Sequence, residues 1–362
     1  SDTDTEVLVN WMEYIRSECR CSLEDAVRIS LKDGVGAHAM LVIESGSDKM
    51  VTARKSSPMA IGIGEDYFVV ASDATPIVEY TKDIVYVEDN PISVITTDGL
   101  NMVHMDNKGV APIIEKVDLD LETIEKGGYD SFMLKEISEQ PETIWNCLRG
   151  RLTDGEEPLM MGGTESVLPS LLRAQRIFIV ACGTSWHAGL IGKYLIENLT
   201  RIPVEVDYAS EFRYRNPIIR QGDVVIAISQ SGETADTKAA LEMAREKGAT
   251  LFGVVNVVGS SIARMVDAGI YTHSGVEIGV ASTKAYTGQV TAFMLLALKL
   301  AKQLNNITDH NFYDIKQSLR YIPKKIKKVL SNKEEIFKIA EKYKGYEDFL
   351  FMGRGINFPT AL

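Results

Sequence analysis

Cysteine is scarce and basic charge is in deficit in this 362-residue chain, and each shortage closes a class of function. Four cysteines, Cys19, Cys21, Cys147 and Cys182, form neither a CxxC pair nor a disulfide framework. A reducing, cytoplasmic setting follows. Lys and Arg total 39 against 50 Asp and Glu, a net charge of −11. Nucleic acid and anionic membrane surfaces both demand a basic face, so neither is expected as a partner. No apolar run reaches the length of a membrane span, and nothing has the pattern of a signal peptide. The longest candidate, Val290 to Leu300, contains Lys299 and is followed by Lys302, and reads as a buried helix. No His/Cys/Asp cluster has metal-ligand spacing, and neither a metal nor a cofactor is expected. The nucleotide signature GxxxxGK[ST] is missing. Asp33-Gly-Val-Gly-Ala-His-Ala39 comes near a dinucleotide fingerprint, but it follows a helix and precedes a strand, the reverse of the required order.

What is present is ordinary in bulk and specific in detail. Apolar content of 45% and charged content of 25% suit a globular protein of two or three domains. The most informative stretch is Asp223-Val-Val-Ile-Ala-Ile-Ser-Gln-Ser-Gly-Glu-Thr234, an apolar β-branched run ending in hydroxyls just before a helix-forming segment, Ala235 to Lys247. A strand, a tight turn and a helix N-terminus in that order make a site for an anion such as phosphate. With no lysine in the turn, hydroxyls plus amides suit a sugar phosphate. A variant recurs upstream, where Arg176-Ile-Phe-Ile-Val-Ala-Cys-Gly-Thr-Ser185 runs into a helix from Trp186. Two hydroxyl-bearing strand ends side by side form a pocket. Taken alone, the Ser229 to Thr234 turn fits helix capping equally well, with Ser231 or Thr234 as N-cap. The second strand end tips the balance to a ligand site. Cys182 reads as a small residue closing a buried strand, Lys284 as solvated or ion-paired, and His187 as a helix-face histidine beside Trp186.

The chain divides by texture. Residues 1–108 begin with an amphipathic helix carrying Val7, Leu8, Trp11, Met12 and Ile15, then a second helix from about Leu23 to Leu31. Short strands follow, among them 39–44, 67–71 and 84–87, which predicts a layered α/β sandwich with antiparallel sheets. Residues 109–164 read as a linker with one helix near Ser131 to Arg149. Residues 165–306 alternate strands at 176–182, 203–208, 223–229, 250–256 and 269–273 with helices near 186–199, 234–247, 260–267 and 282–305. Five such repeats predict a doubly wound, five-stranded parallel sheet with ligand at the strands' C-terminal ends. A helical connector covers 307–340. A strand expected at 349–353, with the turn Gly353-Arg354-Gly355, would open a second domain of the same kind over 341–362.

Four segments carry a resemblance: Ala181-Cys-Gly-Thr-Ser185, Ala209-Ser-Glu-Phe-Arg-Tyr-Arg215, Ser229-Gln-Ser-Gly-Glu-Thr-Ala-Asp236 and Glu277-Ile-Gly-Val-Ala-Ser-Thr-Lys-Ala285. They closely resemble the family of isomerizing glutamine–fructose-6-phosphate aminotransferases. Ser1-Asp-Thr-Asp-Thr-Glu-Val7 and Ala53-Arg-Lys-Ser-Ser-Pro58 with Ala71-Ser-Asp-Ala74 are similar to the second half of that family's glutaminase domain.

The resemblance implies the C-terminal half of an N-terminal-nucleophile glutaminase α/β/β/α sandwich over 1–108, a sugar isomerase (SIS) domain over 165–306, and the start of a second over 341–362. It implies conversion of fructose 6-phosphate to glucosamine 6-phosphate with nitrogen from glutamine, the first step of hexosamine synthesis, in a homodimer joined through the SIS domains. By motif, Ser229, Gln230, Ser231 and Thr234 hold the phosphate and Thr184 and Ser185 contact the sugar, with Val280 and Ser282 lining the same pocket. Asp4 matches a family Asp that binds the α-amino group of glutamine, although read by itself it is a helix-start residue. Arg354 matches an Arg near the isomerase site.

The departures imply a piece of a longer protein. Ser1 is not the nucleophile, because the family's Cys lies upstream. The catalytic Glu, His and Lys lie beyond the last residue. Such a fragment is expected to bind ligand without turning it over. Two readings compete: a stand-alone sugar-phosphate isomerase or deaminase, which would not carry the first 108 residues, and a sugar-phosphate sensor, which calls for an attached DNA-binding or partner-binding domain, and no basic helix-turn-helix pattern is seen.

Overall fold

The computed structural model describes residues 3–32, 38–55, 57–74, 76–106, 108–117, 126–153 and 158–362. It divides into two compact units, 1–125 and 126–362. The near-fingerprint at 33–39 lies mostly outside the described residues.

The first unit opens with α1 (Asp4–Cys19), capped by Thr3, whose hydroxyl accepts from the Glu6 amide at 3.2 Å. A left-handed Arg20 ends it, and α2 (Leu23–Lys32) follows. Nine strands come next among the described residues: β1 (His38–Ile43), β2 (Met50–Lys55), β3 (Ala60–Ile63), β4 (Phe68–Ala71), β5 (Asp83–Tyr86), β6 (Pro91–Thr96), β7 (Gly99–His104), β8 (Gly109–Val110) and β9 (Ile114–Lys116). They pair antiparallel into two sheets, ordered β1-β2-β6-β7-β8 and β4-β3-β5-β9. Period-two alternation makes the layers. Val51, Ala53 and Ile92 of the first sheet meet Met12, Leu23, Val27 and Leu31 of the helices. Ile95 and Met102, on the opposite face, share a core with Ile61 and Val85 of the second sheet. Ile84 and Ala60 turn outward under Ile77 and Val78. The expected layered sandwich with antiparallel sheets is present.

The second unit begins with α3 (Phe132–Leu148), capped by Ser131. A 3-10 turn (Gly162–Val167) and α4 (Leu168–Arg173) lead into the alternating segment. Its strands are β10 (Ile177–Ala181), β11 (Val204–Tyr208), β12 (Val224–Ser229), β13 (Thr250–Val255) and β14 (Ala268–Tyr271). Its helices are α5 (Gly183–Thr200), α6 (Ala209–Tyr214), α7 (Ala235–Glu246), α8 (Ser261–Met265) and α9 (Lys284–Gln303), followed by α10 (Asp309–Leu330) and α11 (Lys333–Tyr343). All five strands run parallel in the order β11-β10-β12-β13-β14.

Both faces of this sheet are buried, which is why its strands read as unbroken apolar runs. Ile177, Ile179, Ile226, Ile228 and Val254 pack under α3, α5, α9 and α10. Phe178, Val180, Val225, Ala227 and Leu251 pack under α6, α7 and α8. Fully burying one such Ile or Phe side chain contributes about 1.5–3 kcal/mol.

Two expectations are corrected. The stretch 109–164 is not a linker throughout: β8 and β9 close the first unit's sheets, and α3 covers the second unit's core through Ile144, Cys147 and Leu148. The polar, Gly-containing composition hid two short pairing segments, while the helix appears where it was expected. The strand expected at 349–353 does not form. A strand is held by its neighbours' hydrogen bonds, and among the described residues none lies beside this segment, whose Leu350 is 83% exposed. Gly353-Arg354-Gly355 leads instead into a 3-10 turn (Gly355–Asn357) and the short α12 (Phe358–Ala361).

Candidate ligand site

The chain leaves β10, forms β11 to one side, then crosses to the other side of β10 to form β12. The strand order therefore reverses between β10 and β12, and the loops at their C-terminal ends diverge to leave a crevice. After β10, Cys182 keeps extended backbone angles (φ −124°, ψ 153°) and α5 starts at once, so Thr184 and Ser185 sit in its first turn. After β12, the chain turns through Gln230 to Glu233, and Thr234 precedes α7. A third loop, between β14 and α9, arrives from the far edge with Glu277 to Ser282.

The three segments enclose a cavity of about 420 Å³ lined by Cys182 to Ser185, Ile228 to Ser231, Thr234, Glu277, Gly279, Val280 and Ser282. Thr184, Ser185, Ser229, Gln230, Ser231, Thr234, Val280 and Ser282, all singled out from sequence, lie in this one lining. Asp4 and Arg354 do not. Asp4 is the first residue of α1, and its carboxylate accepts from the Thr5 amide at 2.8 Å. Arg354 is exposed and precedes the 3-10 turn at 355–357.

The hydroxyls are not spent on helix caps. Thr234 stands at the N-cap of α7 without a side-chain capping bond, and Cys182 does the same for α5. Ser229 is 2% exposed, accepts from the Gly232 amide at 2.9 Å, and lies 3.1 Å from the Thr234 hydroxyl. Ser231 accepts from the Glu233 amide at 3.2 Å. The turn thus holds its own shape. Gly232, at φ +72°, permits it: a side chain there would be strained and would strike Ser260. Glu233 fastens the outer side, taking the Ser261 amide at 2.7 Å and its hydroxyl at 2.6 Å. Behind α5, Gln289 of α9 donates to the Ser185 hydroxyl at 2.9 Å.

Electrostatics favour an anion. The N-terminal ends of α5 and α7 face the cavity, each carrying partial positive charge on its first amides. Glu277 is the lining's one carboxylate, and it is engaged: it accepts from the Ser282 hydroxyl at 2.7 Å and from the Thr283 and Ala285 amides at 2.8 and 3.2 Å. Burial pushes the Cys182 thiol up from its ordinary pKa, which keeps it neutral. Its place at the strand end, 4.0 Å from the Thr237 hydroxyl, fits the packing role. Lys284, 4% exposed, is paired with Glu139 at 2.6 Å. His187 stands edge-on to Trp186, with Nδ1 2.9 Å from the Pro359 carbonyl. The lining therefore offers hydroxyls and helix-N-terminal amides, groups whose chemistry suits a polar anion. Among the described residues no group of three or more His, Cys, Asp or Glu could hold a metal.

The SIS-domain family model matches residues 170–299, the segment that builds the parallel sheet and the cavity. The chain carries a SIS domain. Over its full length it is 50% identical to the isomerizing glutamine–fructose-6-phosphate aminotransferase of Bacteroides thetaiotaomicron and 50% identical to that of Chlorobaculum tepidum. The likeness to these two aminotransferases runs along the whole sequence. It spans 59% of the length of each of those two relatives. Among solved structures, the C-terminal domain of the glucosamine–fructose-6-phosphate aminotransferase of Francisella tularensis is similar at a TM-score of 0.62. That match has 38% identity and covers 66% of each chain.

Sequence reading missed Glu277 and Gly279 as lining residues, although both lie inside a segment it had quoted. It also missed Gln289 and the acidic residues of α3, which no local pattern marks as parts of a site.

Proposed function

We propose that the SIS domain binds fructose 6-phosphate and that the chain is part of an isomerizing glutamine–fructose-6-phosphate aminotransferase, which makes glucosamine 6-phosphate. One observation carries the reading: eight side chains from three separate loops line a single crevice at the switch point of the sheet. Ser229, Gln230, Ser231 and Thr234, with the first amides of α7, hold the phosphate. Thr184 and Ser185 at the start of α5 meet the sugar hydroxyls, and Val280 and Ser282 close the opposite wall.

In this reading the first unit is the second half of a glutaminase domain, with Asp4 receiving the α-amino group of glutamine. Residues 341–362 begin a second SIS domain, with Arg354 near its isomerase site. The chain works in the cytoplasm as a homodimer joined through its SIS domains. The lining's two ionisable side chains, Cys182 and Glu277, are respectively neutral and occupied. The crevice therefore positions the substrate, and the acid–base groups come from elsewhere in the longer protein.

Titration calorimetry with fructose 6-phosphate tests the cradle. Ser231→Ala and Thr234→Ala each weaken binding by about 1.5–3 kcal/mol, the scale of a hydrogen bond to a charged group. Wild-type affinity in both variants would remove the assignment. A chain of the relatives' full length, given fructose 6-phosphate and glutamine, forms glucosamine 6-phosphate only when glutamine is present. Binding without amino-sugar formation would favour an isomerase or a sensor instead.

A further inference from the structure

The cavity's third wall is a loop whose C-terminal end is tied by Glu277, which takes the Ser282 hydroxyl and the Thr283 and Ala285 amides. Val280 is fully exposed, and the backbone just before it, at Ile278 and Gly279, needs a support of its own if Val280 is to present a constant surface. That support comes from α3. Glu136, 2% exposed, points its carboxylate at the loop's backbone. Its Oε1 accepts from the Ile278 amide at 2.6 Å and from the Gly279 amide at 3.0 Å, and Oε2 accepts from Gly279 at 3.2 Å. The approach depends on glycine, because a Cβ at position 279 would stand 2.5 Å from Oε2. One turn along the same helix, Glu139 takes the Lys284 ammonium at 2.6 Å, where the loop enters α9.

We propose that Glu136 is a positioning residue of the cavity, fixing through two backbone amides the loop that carries Val280 and Ser282 and so the shape of the sugar-phosphate site. The proposal rests on the reading of the cavity as that site. Hydrogen bonds that backbone amides donate to a carboxylate are short and directional. Glu136 itself is not part of the cavity lining. It acts by holding the amides, with Gly279 leaving room for it.

Two measurements on the whole chain separate the failures. Amide hydrogen exchange needs no ligand: in Glu136→Ala the Ile278 and Gly279 amides lose protection while the strands of the parallel sheet keep theirs. Unchanged protection would overturn the proposal, whatever the cavity binds. Calorimetry with fructose 6-phosphate then reads the consequence. Glu136→Ala weakens binding about tenfold, the scale of a lost charged hydrogen bond. Glu136→Gln, which keeps one acceptor oxygen, recovers most of that loss. Gly279→Ala weakens binding in the wild-type background and adds little once Glu136 is Ala, since the obstructing carboxylate is gone. Loss of protection with unaltered affinity would make Glu136 a fastener without influence on the site, and the proposal would fall. If the wild-type chain binds no fructose 6-phosphate, the proposed function fails and the exchange result alone decides the clamp. If the Ala variant does not fold, the Gln and Gly279→Ala variants carry the test.

Discussion

Single residues show how far the local environment decides a role. A serine or threonine before a helix is most simply a cap, yet the hydroxyl of Thr234 faces Ser229 and caps nothing. His273 is the complementary case, ordinary in sequence and perturbed in place. It holds a left-handed backbone (φ 53°) just after β14. Partial loss of water around the ring, then the guanidinium groups of Arg151 and Arg149, lower its pKa from the usual histidine value. A depressed folded-state pKa means that the unfolded chain binds more protons in the window below the ordinary value. Stability is then complete above about pH 6.5 and declines as the pH falls through the folded pKa. His273→Asn keeps a residue that tolerates this backbone and removes the titration. Melting temperatures recorded from about pH 7.5 down to about pH 5.5 fall less steeply in the variant than in the wild type, with the gap narrowing in salt as the arginine contribution is screened. Parallel curves at low salt would show that the histidine does not couple to folding.

At the scale of elements, α3 carries more than its sequence suggests. The Lys284–Glu139 pair is unequal: the Lys284 side chain is 5% exposed and that of Glu139 29%. Removing the exposed partner strands a buried charge, whereas removing the buried one leaves a carboxylate that reaches water and lies 3.7 Å from Lys135. Glu139→Ala therefore costs about 3 kcal/mol, the usual penalty for an orphaned buried ion, and Lys284→Met costs clearly less. Chemical denaturation of both variants checks the order, and equal losses would contradict it.

The same helix marks the limit of what could be read from sequence. Its span was legible, expected near 131–149 and found at Phe132–Leu148, because its apolar spacing is regular. What it touches was not, because the contacts from Glu136 to Ile278 and Gly279 join positions about 140 residues apart. The five strands of the parallel sheet were legible to within a residue or two, since burial on both faces leaves unbroken β-branched runs. α6 (Ala209–Tyr214) was missed, being too short for periodicity to register. The segment 349–353 was misread because apolar β-formers specify a strand only when a neighbour is there to pair with.

Across the whole molecule, the division of labour follows the division of cores. Among the described residues, both faces of the second unit's sheet are covered by side chains of that unit, from Ile144 of α3 to Ile326 of α10. The cavity and its supports, including Glu136, Glu139, Glu233 and Gln289, also lie within residues 126–362. A core complete in itself should fold cooperatively without help. Residues 126–362 expressed alone are thus expected to melt in one transition and to bind fructose 6-phosphate within about threefold of the longer chain, a difference below 1 kcal/mol. Such association as the shorter chain shows would come from its uncovered apolar side chains. Phe337 on α11, with Phe351 and Met352 beyond it, is the first place to introduce charge. Broad, non-cooperative melting in dilute solution would mean that the first unit contributes to the fold of the second. Cooperative melting with lost affinity would mean that it contributes to the site alone.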